Sequence, residues 1–185
     1  MISKVWITLA AVSFLATHAL AAKWSVDPTQ SRLLFAADDS GTRFTGTFKT
    51  WTAAIDFDAA HLDASSFEVS VDTKSVDAKD PVRNQEILGP DWLNVASYPT
   101  AHFVAKKLSL GESGGYQAIG TLKIRNIEKT IRLLFTVSAN GNTIHAKGAV
   151  TLKRTDFDLG LHRGEEWVAL PVEVSFEIVA TVVQE

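Results

Sequence analysis

The sequence predicts an all-β fold of about eight antiparallel strands joined by hairpins, with one short helical insertion. Three observations predict it. Apolar and polar residues alternate with period two along most of the chain, the pattern of strands wet on one face and buried on the other. Glycine- and asparagine-containing turn signals separate the alternating stretches at hairpin spacing. One stretch, residues 80–89, carries helix-capping residues in place of alternation. Sequential hairpins of this kind close into an up-and-down barrel, which removes exposed edges, or pack as a sandwich; the pattern serves both. The 185 residues, 46% hydrophobic and 21% charged, have ordinary globular composition and suit one domain.

The elements follow in chain order. Lys4, an apolar stretch from Val5 to Ala16 and the small-x-small pattern Ala19-Leu20-Ala21 predict a signal peptide over 1–21, cleaved after Ala21. Residues 22–185 then form one exported domain. With no cysteine in the chain there is neither a lipoprotein anchor nor a disulfide, so packing alone must stabilise it. Strands are predicted around Leu33-Leu34-Phe35 and Ala53 to Phe57, and over Phe67, Val69 and Val71, which alternate with Glu68, Ser70 and Asp72. Asp80 as N-cap, Pro81 at the first helical position and Gly89 at the end specify the short helix, and Asp91 to Val95 adds another turn. Further strands run through Ala101-His102-Phe103 and Gly120 to Ile124. The clearest alternation is Ile131, Leu133, Phe135 and Val137, and it recurs from Ile144 to Leu152 and from Val172 to Ala180. Ser113-Gly114-Gly115 and Asn140-Gly141-Asn142 supply tight turns, and Arg125-Asn126 is expected to turn with Asn126 in the left-handed region.

Most chemistry is excluded by what is missing or misplaced. A net charge of −3 offers no basic face for nucleic acid. His61, His102, His145 and His162 lack zinc-site spacing, and His102 and His145 fall on outward strand positions. The run Asp56 to Asp63, with His61, lacks the glycine and terminal glutamate of a calcium loop. Asp156 and Asp158 are expected on one strand face, as carboxylates are on any acidic surface, without a glycosidase signature. Neither a G-x-S-x-G elbow nor a phosphate-cradling loop is present. No catalytic residue, metal ligand or cofactor is therefore expected. The inward aromatics are more informative: a small barrel is either packed solid by its own side chains or left open for one ligand.

Several consecutive segments resemble the YceI-like family of exported polyisoprenoid-binding proteins. They are Trp24-Ser25-Val26-Asp27-Pro28 with Ser31 and Phe35; Phe44 to Phe48; Ile55-Asp56-Phe57-Asp58; Val71 to Val76; Trp92 to Phe103; Gly120 to Ile124; and Arg154-Thr155-Asp156-Phe157. Two positions depart from the family pattern, where Asn126 and Asp158 stand in place of its usual glycines. The resemblance implies an eight-stranded antiparallel lipocalin-like barrel whose apolar tunnel takes an isoprenoid chain. On that footing the tunnel candidates are Phe35, Phe67, Trp92, Phe103, Ile124, Leu133, Phe135 and Phe176. The insertion Asp80–Pro99 is expected to close one mouth. The implied function is an exported, periplasmic, non-catalytic carrier of a long-chain apolar molecule such as a polyprenyl or isoprenoid quinone. It needs no cofactor beyond that ligand, makes at most transient membrane contact and is compatible with a homodimer. The alternative is an exported protein-interaction or stress-response module on the same barrel.

Overall fold

A computed structural model describes residues 22–111 and 114–184; the leader expected over 1–21 lies outside them. Eleven strands occur among the described residues: β1 (Ala22–Val26), β2 (Arg32–Asp39), β3 (Thr42–Phe48), β4 (Trp51–Phe57), β5 (Ser66–Asp72), β6 (Val76–Asp77), β7 (Thr100–Leu110), β8 (Tyr116–Ile124), β9 (Ile127–Asn140), β10 (Thr143–Lys153) and β11 (Pro171–Val182). One α-helix, α1 (Pro81–Leu88), lies between β6 and β7. The first six strands are three long strands, each broken once. β1 and β2 both lie along β11, β3 and β4 pair with β2 and β1, and β5 and β6 pair with β4 and β3. Counted this way the sheet is an up-and-down barrel of eight antiparallel strands, closed by β1 on β11. That settles barrel over sandwich.

Each break has its own chemistry. Between β1 and β2 the Ser31 hydroxyl accepts from the Val179 amide (3.0 Å), so β11 keeps its hydrogen bonding across the gap. Lys49 and Thr50 separate β3 from β4. Between β5 and β6, Thr73 opens a 3-10 turn, donating its amide to Pro99 O (3.0 Å) and its hydroxyl to Tyr98 O (2.8 Å). These bonds fasten the start of β7 to the break.

The helix forms where its caps predict it. Asp80 accepts from the Arg83 amide (2.8 Å) and Pro81 takes the first turn. Gly89 ends it in an extended conformation (φ −70), and the left-handed residue comes later, at Asn94 (φ 47). The β8–β9 turn also differs from expectation: Arg125 takes the left-handed conformation (φ 57) and Asn126 does not. Arg125 is anchored on both sides, donating from Nη1 to Asp158 O (2.8 Å) and lying 5.6 Å from the Tyr98 ring centre. Those contacts offset a backbone cost that a free arginine would not bear. A hairpin at Ser40-Gly41, with φ 49 and 77, carried no sequence signal recognised above.

Candidate functional site

The inward rows of the barrel strands converge on one cavity. β4 contributes Trp51, Ala53, Ile55 and Phe57; β5 Phe67, Val69 and Val71; and β9 Ile131, Leu133, Phe135 and Val137. β10 adds Ile144, Ala146, Val150 and Leu152, and β11 adds Val174, Phe176 and Ile178. The cavity has a volume of about 210 Å³. From Ile144 to Leu152 is eight strand rises, about 26 Å along β10 and roughly 20 Å along the axis of a barrel with ordinary strand tilt. Thr73 carries the one hydroxyl among the lining residues, and it is spent on Tyr98 O. Such a wall gives water no partners.

Both ends are closed. At one end Phe57, Phe67, Tyr116 and Phe135 form a ring cluster, with Tyr116 stacked on Phe135 at 5.4 Å and set edge-on to Phe57 at 5.3 Å. At the other, α1 and the segment after it sit over Phe35, Val76 and Ala78, and Leu93 reaches into the cavity.

Two rings of the wall, Phe176 and Phe103, are accommodated by glycines on the neighbouring strands. Phe176 faces Gly148 across the β10–β11 ladder, and a β-carbon on Gly148 would stand 2.7 Å from that ring. Gly120 gives Phe103 the same room at 2.7 Å. Phenylalanine therefore lines the wall instead of crossing the lumen, and this is what the inward pattern alone left undecided between filled and open.

Six of the eight expected tunnel residues line the cavity: Phe67, Phe103, Ile124, Leu133, Phe135 and Phe176. Phe35 and Trp92 do not. Phe35 points inward, but its ring lies on Gly46 inside the plug under Leu93, beyond the lumen. Trp92 is turned away because its neighbour Leu93 takes the inward position; its indole packs on Gly160 and beside Arg154. The Asp80–Pro99 segment thus closes the end through Leu93.

Arg154, met in the sequence only as part of the motif Arg154-Thr155-Asp156-Phe157 and given no role there, organises that closure. It is 1% exposed and has no carboxylate partner among the described residues. Its guanidinium donates to five backbone carbonyls, those of Leu159 (2.8 Å), Gly160 (2.5 Å), Arg163 (2.7 Å), Val168 (2.9 Å) and Ala169 (3.2 Å). Burial lowers its pKa, although arginine remains charged. The loop it gathers donates the Gly160 amide to Asp91 O (2.7 Å) and pairs Arg163 with Glu86 of α1. Arg154 continues the even-numbered inward row of β10, so a charge in an inward phase was the available signal.

The other polar candidates do not assemble a site. Asp156 and Asp158 lie on a 3-10 turn, Arg154–Phe157, and its left-handed cap (φ 54), so they share no strand face. His61 Nδ1 lies 2.8 Å from Asp58, and this hydrogen bond pulls the Asp58 pKa down. His102 bonds Thr100 on the outer face. No three metal-ligating side chains converge among the described residues. No helix among them is long and apolar enough to cross a membrane.

Residues 24–180 match the YceI-like domain. A UPF0312 protein of Pseudomonas savastanoi pv. phaseolicola is 32% identical over 139 residues, 71% of each chain. The crystal structure of Burkholderia cenocepacia BcnA, 29% identical, superposes with a TM-score of 0.80 over 85% of this chain and 100% of that one. A polyisoprenoid binding domain from Saccharophagus degradans shares the fold at 17% identity, with a TM-score of 0.66 over 89% of this chain and 100% of that one. Motif order, barrel topology and a domain match over most of its length agree: the chain belongs to the YceI-like family.

Proposed function

We propose that this protein binds the apolar chain of an isoprenoid or similar lipid inside the barrel, after export to the periplasm, and performs no reaction on it. One observation carries the reading: the wall between two closed ends is apolar and its single hydroxyl is already bonded. The Saccharophagus neighbour, described as polyisoprenoid binding, supports the choice of chain. Energetics agree, since five carbons per isoprene unit at about 0.8 kcal/mol each give about 4 kcal/mol per unit, and three units about 12 kcal/mol before association costs. A lumen of roughly 20 Å suits three or four extended units, at four C–C bonds of about 1.5 Å per unit. The leader reading adds a mature N-terminus at Ala22.

The test is extraction of the purified protein with organic solvent and mass spectrometry of the extract, alongside titration with geranylgeraniol. A long apolar molecule in near-stoichiometric amount, or saturable binding of the alcohol, is the expected result. An extract without such a molecule, together with no binding, would overturn the reading and favour a protein-interaction module.

A further inference from the structure

The two closed ends of the lumen are built differently. At one end the rings belong to the sheet. Phe67, Phe135 and Tyr116 are each paired with a strand on both sides, and Phe57 is paired with Ala22 while its carbonyl accepts the Trp24 indole N–H (3.0 Å). The rings also hold one another. Phe67 meets Phe135 edge-on at 5.5 Å, and Phe57 lies 6.4 Å from Phe135 and 6.3 Å from Phe67. Leu108 and Ala118, both buried, pack in the same cluster. A ring here gives way only when a rung of the sheet does, or when close-packed neighbours move with it.

The other end hangs outside the sheet. Leu93 lies in the stretch between β6 and β7, and its amide bonds Ile87 O (3.0 Å) within the same stretch. Among the described residues, 86–93 are hydrogen-bonded to the rest of the barrel through the Gly160 amide on Asp91 O and the exposed Arg163–Glu86 pair. Opening this end breaks no rung, so it is the end that opens more readily. A chain entering there advances until it meets the rings.

Phe57, Phe67 and Phe135 line the lumen, whereas Tyr116 does not; it packs on Phe57 and Phe135 from behind. The 5.3 Å between the Phe57 and Tyr116 ring centres is close to the roughly 5–6 Å that one extended isoprene unit spans.

We propose that the floor of Phe57, Phe67 and Phe135, backed by Tyr116, is a length stop that selects isoprenoid chains of up to about four units over longer polyprenyl chains. This rests on the cavity reading above. Each unit that fits is buried, but a fifth finds no room at the floor and stays outside the plug end, where it adds no burial.

Geraniol, farnesol, geranylgeraniol and geranylfarnesol carry one alcohol head on two, three, four and five units, so titration with each reads the stop directly. Wild-type affinity should rise about tenfold or more per unit as far as geranylgeraniol and then level off. F57A deepens the lumen to the Tyr116 ring and should move the break by one unit, so that geranylfarnesol binds about tenfold more tightly than geranylgeraniol. Y116A leaves every lining side chain in place, lets the Phe57 and Phe135 rings fall back, and should move the break the same way even if F57A does not fold. Wild-type affinity that keeps climbing to five units, or a break that stays at four units in the folded variants, would overturn the length stop and leave the cavity reading standing. Binding of none of the four alcohols by wild type would overturn both.

Discussion

Replacing Gly148 by alanine tests whether that glycine is what accommodates the Phe176 ring. The added β-carbon would stand 2.7 Å from two Phe176 ring carbons and 2.6 Å from Leu134 O, where ordinary contact begins at 3.4 Å. The ring must therefore retreat by about 0.7 Å or more, and the space available to it is the lumen. The carbonyl belongs to the β9 backbone, so its relief requires β9 and β10 to part further at the last rung of their ladder. Overpacking of this kind costs about 1–3 kcal/mol. For a domain of this size that lowers the melting temperature by roughly 3–10 °C. Circular dichroism melts give the stability term, and titration with geraniol and geranylgeraniol gives the lumen term. The longer chain should lose more affinity than the shorter, because only the longer must pass Phe176. An unchanged melt with unchanged affinities would refute the packing argument. Equal losses for both chains would refute the displacement of the ring into the lumen.

Three other changes have definite outcomes. Arg154→Met strips hydrogen bonds from five carbonyls and should cost about 3–5 kcal/mol in urea unfolding, with new proteolytic cleavage between residues 158 and 170; Arg154→Lys should recover only part, having fewer donors. Leu133→Glu should abolish binding at neutral pH, and its destabilisation should grow as pH rises above about 4.3, because a carboxyl in the apolar lumen has a raised folded pKa and stays neutral only below it. Asp77 has its pKa lowered to about 2, first by the hydrogen bond from Lys49, then by the Lys79 amide and Asn84. A lowered folded pKa means that its contribution is complete above the unfolded value of about 3.9 and disappears as pH falls through about 2, so acid titration of Asp77→Asn should show a shallower loss than wild type across that window.

The inward rows of β5, β9 and β11 were legible because period two reports the two faces of a strand directly, and α1 was legible because its caps are local. Long-range arrangements were not. Phe35 and Leu33 share a face, yet only Leu33 reaches the lumen, since the plug over Phe35 comes from residues 76–93. Trp92 looked like the mouth residue because it is large and apolar, whereas Leu93 beside it has the inward direction. Asp158 replaces a glycine usual in the family and still adopts the left-handed conformation that glycine would supply (φ 54). At the β8–β9 turn that conformation falls on Arg125, one residue before the expected Asn126, because anchors on Asp158 and Tyr98 decide it. Arg154 was quoted with its motif but given no place in the barrel for a related reason: alternation highlights apolar residues and passes over a charge in the same phase.

Closure of the sheet by its two ends has a consequence for how the protein comes into being. Trp24 pairs with Val182, and Leu33 with Phe176, so rungs linking the first strands to the last span nearly the whole chain. The middle hairpins form from neighbours and are available early, while the seam between beginning and end waits on the slowest, most distant encounter. Until β11 arrives, the inner faces of β2 and β10 have no common partner and the lumen has no enclosing wall. Ligand capacity is thus the last property the chain acquires, and loss of the segment from Pro171 to Val182 would leave an open curved sheet with two raw edges, one strand short of a container.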